Sequence, residues 1–220
     1  MVTVDVGSAA RERQRTWVLG GALLVASPVA ALASTGALLA LVRAVDPLFA
    51  LGVLVLVVGI GRAGSVTARR PLGTGAAIGL VVVMLTQPLV AAVVDPPQYQ
   101  MPLSNSVPPL QLVVPVTLSV KLMLALIAAI QIGRVGVVPR PWNWTPLWVL
   151  CAVAIMTAVP MSPFWTPLMG SGANIAPLMV VFDAFGLARQ AAVAFLGIVA
   201  IVLGSRSGTG SVPVYSSAAP

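Results

Sequence analysis

The sequence predicts an all-α polytopic membrane protein, a bundle of six transmembrane helices with both termini in the cytoplasm. Three observations predict this class. Of the 220 residues, 59% are hydrophobic and only 8% are charged, whereas about a quarter of the residues in a soluble domain are charged. The mean hydropathy is +1.03. The apolar residues also fall into long runs, and about 20 such residues cross roughly 30 Å of hydrocarbon.

The composition excludes several kinds of chemistry. The chain has no histidine and a single cysteine, Cys151, so we expect no His-ligated metal or haem, no Cys–His nucleophile and no disulfide framework. No cofactor-binding motif is present. The formal net charge is +7, but the arginines stand between apolar runs and form no basic stripe interleaved with aromatic residues. We therefore expect no nucleic-acid partner.

Six apolar runs, bounded by charge, proline or glycine, are long enough to be transmembrane helices. The fourth and sixth begin with proline, which is tolerated at the first helical position, and end near a glycine that suits a helix C-terminus. The loops between the runs are too short for a soluble domain. The predicted helices are Trp17–Ser34, Ala37–Ile60, Thr74–Val94, Pro109–Gly133, Thr145–Ser162 and Pro177–Leu203.

The basic residues predict the orientation, because Lys and Arg in short loops stay on the cytoplasmic side. The connections 35–36, 95–108 and 163–176 hold no basic residue. We expect residues 1–16 to form a cytoplasmic tail, residues 17–204 the transmembrane domain and residues 205–220 a disordered cytoplasmic tail rich in Ser, Gly and Pro. The N-tail, the 2–3 loop, the 4–5 loop and the C-tail carry nine arginines: Arg11, Arg13, Arg15, Arg62, Arg69, Arg70, Arg134, Arg140 and Arg206.

Two alternatives concern the first helices. The arginines at 11–15, the apolar stretch and the sequence Ala31-Leu32-Ala33 imitate a cleavable signal peptide, but an uncleaved helix is simpler because the apolar run resumes at once. Alternatively, the first span could continue to residue 42 and place Arg43 and Asp46 in an outer loop. The second span would then have 13 residues, about 20 Å, which is too short. We therefore place the turn at residues 34–36 and both charges inside helix two.

Five charged residues remain within the predicted spans, and all of them lie on helices two, four and six: Arg43, Asp46, Lys121, Asp183 and Arg189. Since charge facing hydrocarbon costs a few kcal/mol or more, we expect the even-numbered helices to face one another across a polar interior. Counted from the outer helix ends at about 1.5 Å per residue, Arg43 and Asp183 share an outer level, and the other three lie near the midplane.

The signs of these charges suggest a ligand. Arg43 can neutralise Asp183, but Asp46 can neutralise only one of Lys121 and Arg189. The remaining cation requires either a neutral Lys121 or an anionic group from elsewhere, such as a substrate, a lipid head group or a partner subunit. A purely structural role, in which ion pairs hold three helices together, is the alternative.

Three functional hypotheses follow. The first is a protein that binds or transports a small anionic or amphiphilic ligand through Lys121, Arg189, Asp183, Arg43 and Asp46. The second is an intramembrane enzyme acting on an isoprenoid-like lipid, with Asp46 or Asp183 as a protonated acid in a dry pocket. The third is a non-catalytic subunit of a membrane complex. Few Lys and abundant Ala, Val, Gly, Pro and Arg favour a bacterial plasma membrane, with membrane lipids as neighbours.

Local features of the spans are mostly explained by packing. The dipeptide Gln87-Pro88 and Pro115 interrupt helical hydrogen bonding, and we expect kinks there. Small residues permit helices to approach closely; those singled out are Gly52, Gly59, Gly79, Ala128 and Ala192.

Overall fold

The structure is a computed structural model that describes residues 6–34, 40–60, 65–67, 70–94, 109–135, 138, 142–160 and 176–206. Within these ranges it contains six α-helices, a short 3₁₀ turn at Trp142–Trp144, and no β-strand. The prediction of an all-helical chain is confirmed. The helices are α1 (Val6–Ala33), α2 (Val42–Val58), α3 (Pro71–Val94), α4 (Pro109–Val135), α5 (Thr145–Ala158) and α6 (Ala176–Arg206).

Four of the helices are long and apolar enough to cross a membrane, which indicates a membrane protein. The other two are shorter, with 17 residues in α2 and 14 in α5. The count of six spans and the cytoplasmic placement of both termini therefore stay predictions. The four candidate spans are Ala10–Ala33, Pro71–Val90, Val114–Val135 and Ala176–Arg206.

Helix boundaries differ from the predicted ones mainly near the first connection. Helix α1 begins at Val6, because the alanines and the Arg, Glu and Gln residues before Trp17 are good helix formers although they are polar. Helix α2 begins at Val42 and not at Ala37. Several other predicted features lie outside the described residues: the turn at 35–36, the outer loops 95–108 and 163–175, the arginines at 62, 69 and 140, and the tail 207–220.

The described helices form a closed ring. Each helix packs against its neighbours in the chain, and α6 closes the ring by its extensive contact with α1. Glycines bring α1 and α6 together: a Cβ atom built on Gly197 would lie 2.6 Å from the backbone oxygen of Gly21. Farther along the pair, a Cβ atom on Gly204 would lie 2.8 Å from Cβ of Trp17. These contacts place the start of α1 beside the end of α6.

The start of α1, the end of α2 and the end of α6 therefore meet at one end of the ring. Trp17, Val66 and Val138 form a buried cluster there, with Leu56 and Leu203 packed against it. We call this end the basic end, because it carries all six described arginines near helix termini: Arg11, Arg13, Arg15, Arg70, Arg134 and Arg206. The opposite end, where α2, α4 and α6 begin, is called the distal end.

Hydroxyl groups satisfy the free carbonyls at the end of α2. Gly59 takes a φ of 75°, which turns the chain out of the helix. The chain then returns, and the hydroxyls of Ser65 and Thr67 donate hydrogen bonds to the Val57 carbonyl. The Thr67 hydroxyl also bonds that of Thr74 on α3 at 2.8 Å. Since an unpaired backbone group is costly in an apolar bundle, this network fixes the α2–α3 connection.

Candidate functional site

The structure places the five predicted site residues at different depths and exposures. Arg43 and Asp46 are exposed near the start of α2, Lys121 is half-buried in the middle of α4, and Asp183 and Arg189 are exposed on α6. Because α2 starts at Val42, Asp46 lies about 6 Å from the helix end. The prediction that Asp46 lies near the midplane, about 15 Å deep, is therefore wrong.

The expectation that the even-numbered helices face one another is also wrong. In the ring, α4 packs between α3 and α5, while α6 packs between α5 and α1. Sequence-neighbouring helices joined by short loops pack as antiparallel pairs, and this connectivity takes precedence over a grouping by charge. Among the residues that the structure describes, no ion pair joins Arg43 to Asp183 or Asp46 to Arg189.

Three helices nevertheless meet at Lys121. Its ammonium on α4 donates a hydrogen bond to the side-chain oxygen of Gln87 on α3. Asp46 on α2 lies close enough for its carboxylate to act electrostatically on the ammonium. We call Lys121, Gln87 and Asp46 the Lys121 site. It combines residues from helices two, three and four, whereas the sequence had grouped helices two, four and six.

The sequence marks Gln87 only as the neighbour of a helix-interrupting proline. Pro88 lies inside α3, and Gln87 precedes it on a spanning helix that holds no charged residue. A polar side chain in an otherwise apolar helix is a weak signal, because interhelical hydrogen bonds by Gln are ordinary packing devices. Only the register between α3 and α4 shows that its partner is Lys121.

The chemistry available at the Lys121 site is the binding of an anion. An ammonium has three hydrogen-bond donors and no acceptor, and Gln87 accepts one of them. Gln87 is neutral, and Asp46 forms no ion pair with Lys121 within the described part of the chain. An oxygen acceptor that carries negative charge would use the remaining donors and compensate the charge in a region of low dielectric.

The two candidate catalytic carboxylates lack the surroundings that acid catalysis in a dry pocket requires. Asp46 and Asp183 are both exposed, and neither lines a described cavity. Among the described residues, no three His, Cys, Asp or Glu side chains lie close enough to hold a metal ion. The geometry therefore favours binding at Lys121 over Asp-based acid–base chemistry.

A second feature, absent from the sequence-based predictions, is an apolar cavity at the basic end. Its volume is ≈ 160 Å³, and it lies inside the ring between α1, α2, α4, α5 and α6. Residues from seven separate stretches of the chain line it, so no local pattern could have revealed it. The lining residues are Trp17, Leu24, Val53, Leu56, Val57, Val66, Ile132, Val138, Trp142, Thr145, Pro146, Leu196, Val199, Ala200 and Leu203.

Comparison of the chain with protein families, with curated proteins and with solved structures finds no match in any of the three. The membrane location therefore rests on the four long apolar helices. The functional assignment rests on the geometry of the Lys121 site.

Proposed function

We propose that the chain is a multi-pass membrane protein that binds a small anionic or amphiphilic ligand at the Lys121 site. The observation that carries the proposal is the half-buried ammonium of Lys121, which bridges to Gln87 across the α3–α4 contact. Placing a charged side chain on a spanning helix costs a few kcal/mol or more. One neutral amide and one carboxylate that forms no ion pair compensate that cost only partly.

The proposal includes six membrane spans with both termini in the cytoplasm. The adjacency of Trp17 and Gly204 supports placing both termini on one side. The arginines of the basic end support the cytoplasm as that side, because basic residues in short loops stay inside. Helix α2 and the helical stretch Trp142–Ala158, each of 17 residues or about 26 Å, take part in the same ring and would cross as shorter spans.

Arg189 has a different part in this proposal from the one that the sequence predicted. It is exposed on α6 and lies on a helix that packs against α1 and α5. Lys121 is therefore the principal anion-binding residue, and Asp46 limits the charge that the site tolerates. Arg189 provides a matched control, since both residues are cations within spanning helices.

The test uses thermal unfolding of the purified protein in maltoside micelles, with octyl phosphate as the probe and octanol as its neutral counterpart. Binding at 100 times Kd stabilises by about 2.7 kcal/mol, so we expect octyl phosphate to raise Tm by roughly 5 to 10 °C for a chain of this size. The rise should disappear in Lys121→Met, persist in Arg189→Met, and return at least partly in Lys121→Arg.

Two results would contradict the proposal. One is an equal rise of Tm in the wild type and in Lys121→Met. The other is a rise with octanol as large as with octyl phosphate. A stoichiometric second protein chain in native mass spectra would favour the accessory-subunit hypothesis instead.

A further inference from the structure

The cavity at the basic end is a second place where a ligand fits, on the other half of the molecule from Asp46 and Arg43. A cavity of about 150 Å³ with apolar walls is large enough for a benzene-sized group and stays dry when empty. The cavity described here has ≈ 160 Å³, which suits one ring or a short piece of a hydrocarbon chain.

One polar atom in the lining lacks a hydrogen-bond partner. Trp17 is only 3% exposed, and its indole Nε1 is buried without an acceptor among the described residues. The carbon at the centre of the Arg13 guanidinium lies 5.3 Å from the centre of the Trp17 ring, which holds the indole in place by a cation–π contact. A buried donor without a partner costs about 1–3 kcal/mol, so an acceptor entering the cavity would recover much of that energy.

A groove beside the cavity supplies a route from the lipid. It is lined by Phe195, Ile198 and Val202 of α6, and it shares Trp142, Val199 and Leu203 with the cavity. Arg206 stands at the same groove. An apolar chain lying between α5 and α6 would thus have hydrocarbon contacts along its length and a guanidinium near its polar end.

We propose that this cavity binds the carbonyl-bearing end of an apolar membrane molecule, with the carbonyl oxygen accepting a hydrogen bond from Trp17 Nε1. The arginines of the basic end favour an anionic glycerophospholipid, whose ester carbonyls lie at the level of the membrane interface. A membrane quinone has the same carbonyl-on-hydrocarbon chemistry without the charge. The site is separate from the Lys121 site and does not depend on it.

The experiment observes the Trp17 indole proton directly. The protein is labelled with ¹⁵N-tryptophan, delipidated in a maltoside that contains no carbonyl, and studied by ¹H–¹⁵N NMR spectroscopy. The chain has five tryptophans; the Trp17 signal is the one that Trp17→Phe removes, or the one left after the other four are replaced if that variant does not fold. Ligands are diester phosphatidylglycerol, its dialkyl ether counterpart, and a short-chain naphthoquinone.

We expect the diester lipid to move the Trp17 indole proton downfield and the ether lipid to leave it in place. By native mass spectrometry, Trp17→Phe should retain the diester lipid roughly two- to tenfold more weakly, the loss that one hydrogen bond produces. Trp148→Phe, at a position 73% exposed on α5, should retain it normally. A response to the quinone alone would identify the carbonyl source as a quinone.

Absence of a downfield shift with every ligand would overturn the proposal, and so would an equal shift with the ether lipid. Lys121→Met distinguishes this site from the proposed function. It should leave the Trp17 response unchanged while it abolishes stabilisation by octyl phosphate, which carries no carbonyl. Either site can therefore fail without the other.

Discussion

The contact between α1 and α6 provides the sharpest test of the ring. We expect Gly197→Ala to destabilise the protein, because the added Cβ would lie 2.6 Å from the Gly21 oxygen and 3.0 Å from the Val25 nitrogen. Ordinary contact begins at 3.4 Å, so the helices must separate by roughly 0.8 Å in a tightly packed interior. Since the obstacles include backbone atoms, they cannot rotate away.

Overpacking of this kind costs about 1–3 kcal/mol. For a protein of this size the Tm in maltoside should fall by roughly 2 to 10 °C. Gly186→Ala is the matched control on the same helix, since nothing lies within 4 Å of the added Cβ; it should be neutral or stabilising by up to about 1 kcal/mol. Gly20→Ala should lie between the two, because the atoms that it meets first belong to the flexible side chain of Leu56.

The measurement is the Tm of the three variants, followed both by scanning fluorimetry and by the monomer peak that survives heating. If Gly197→Ala and Gly186→Ala unfolded at the same temperature, the close approach of α1 and α6 would be refuted. The adjacency of the two chain ends at the basic end would lose its support with it.

Two further predictions concern the α2 connection and the orientation. Thr67→Val should cost about 1–3 kcal/mol in chemical or thermal unfolding, since Thr67 is fully buried and its hydroxyl bonds both the Val57 carbonyl and the Thr74 hydroxyl. Thr86→Val, which loses only bonds to its own exposed helix, should stay within about 0.5 kcal/mol; equal losses would contradict the role of the network. In a Cys151→Ser background, an impermeant maleimide added to intact cells should label Ser104→Cys and not Ser207→Cys, and the reverse pattern would overturn the proposed sidedness.

The positions of the helices were predictable to within a few residues because that information is local. A run of apolar residues bounded by charge or proline specifies a membrane helix without reference to any other part of the chain. Pro109 starts α4 as predicted, and α6 begins one residue before the predicted Pro177. The first connection was less predictable, since no charge or proline marks a boundary between residues 29 and 42.

The candidate site was only partly predictable. Lys121 was identified because a charge in a spanning helix is unusual, but its partner Gln87 was not. The glycines show the same limit: Gly52 was singled out and does approach Leu24 closely, whereas the more crowded pair Gly21 and Gly197 was not. Sequence composition shows that a small residue is present, but it does not show whether another helix lies against it.

The sequence by itself determined the membrane class, the all-helical structure and the concentration of arginines between particular helices. The tertiary structure decided the neighbours: the closure of α6 on α1, the bridge from Lys121 to Gln87 and the cavity beside Trp17. The physical reason is that a membrane helix is apolar on all its faces. It therefore shows no amphipathic stripe that would mark its inner side, and packing, not hydrophobic patterning, selects its partners.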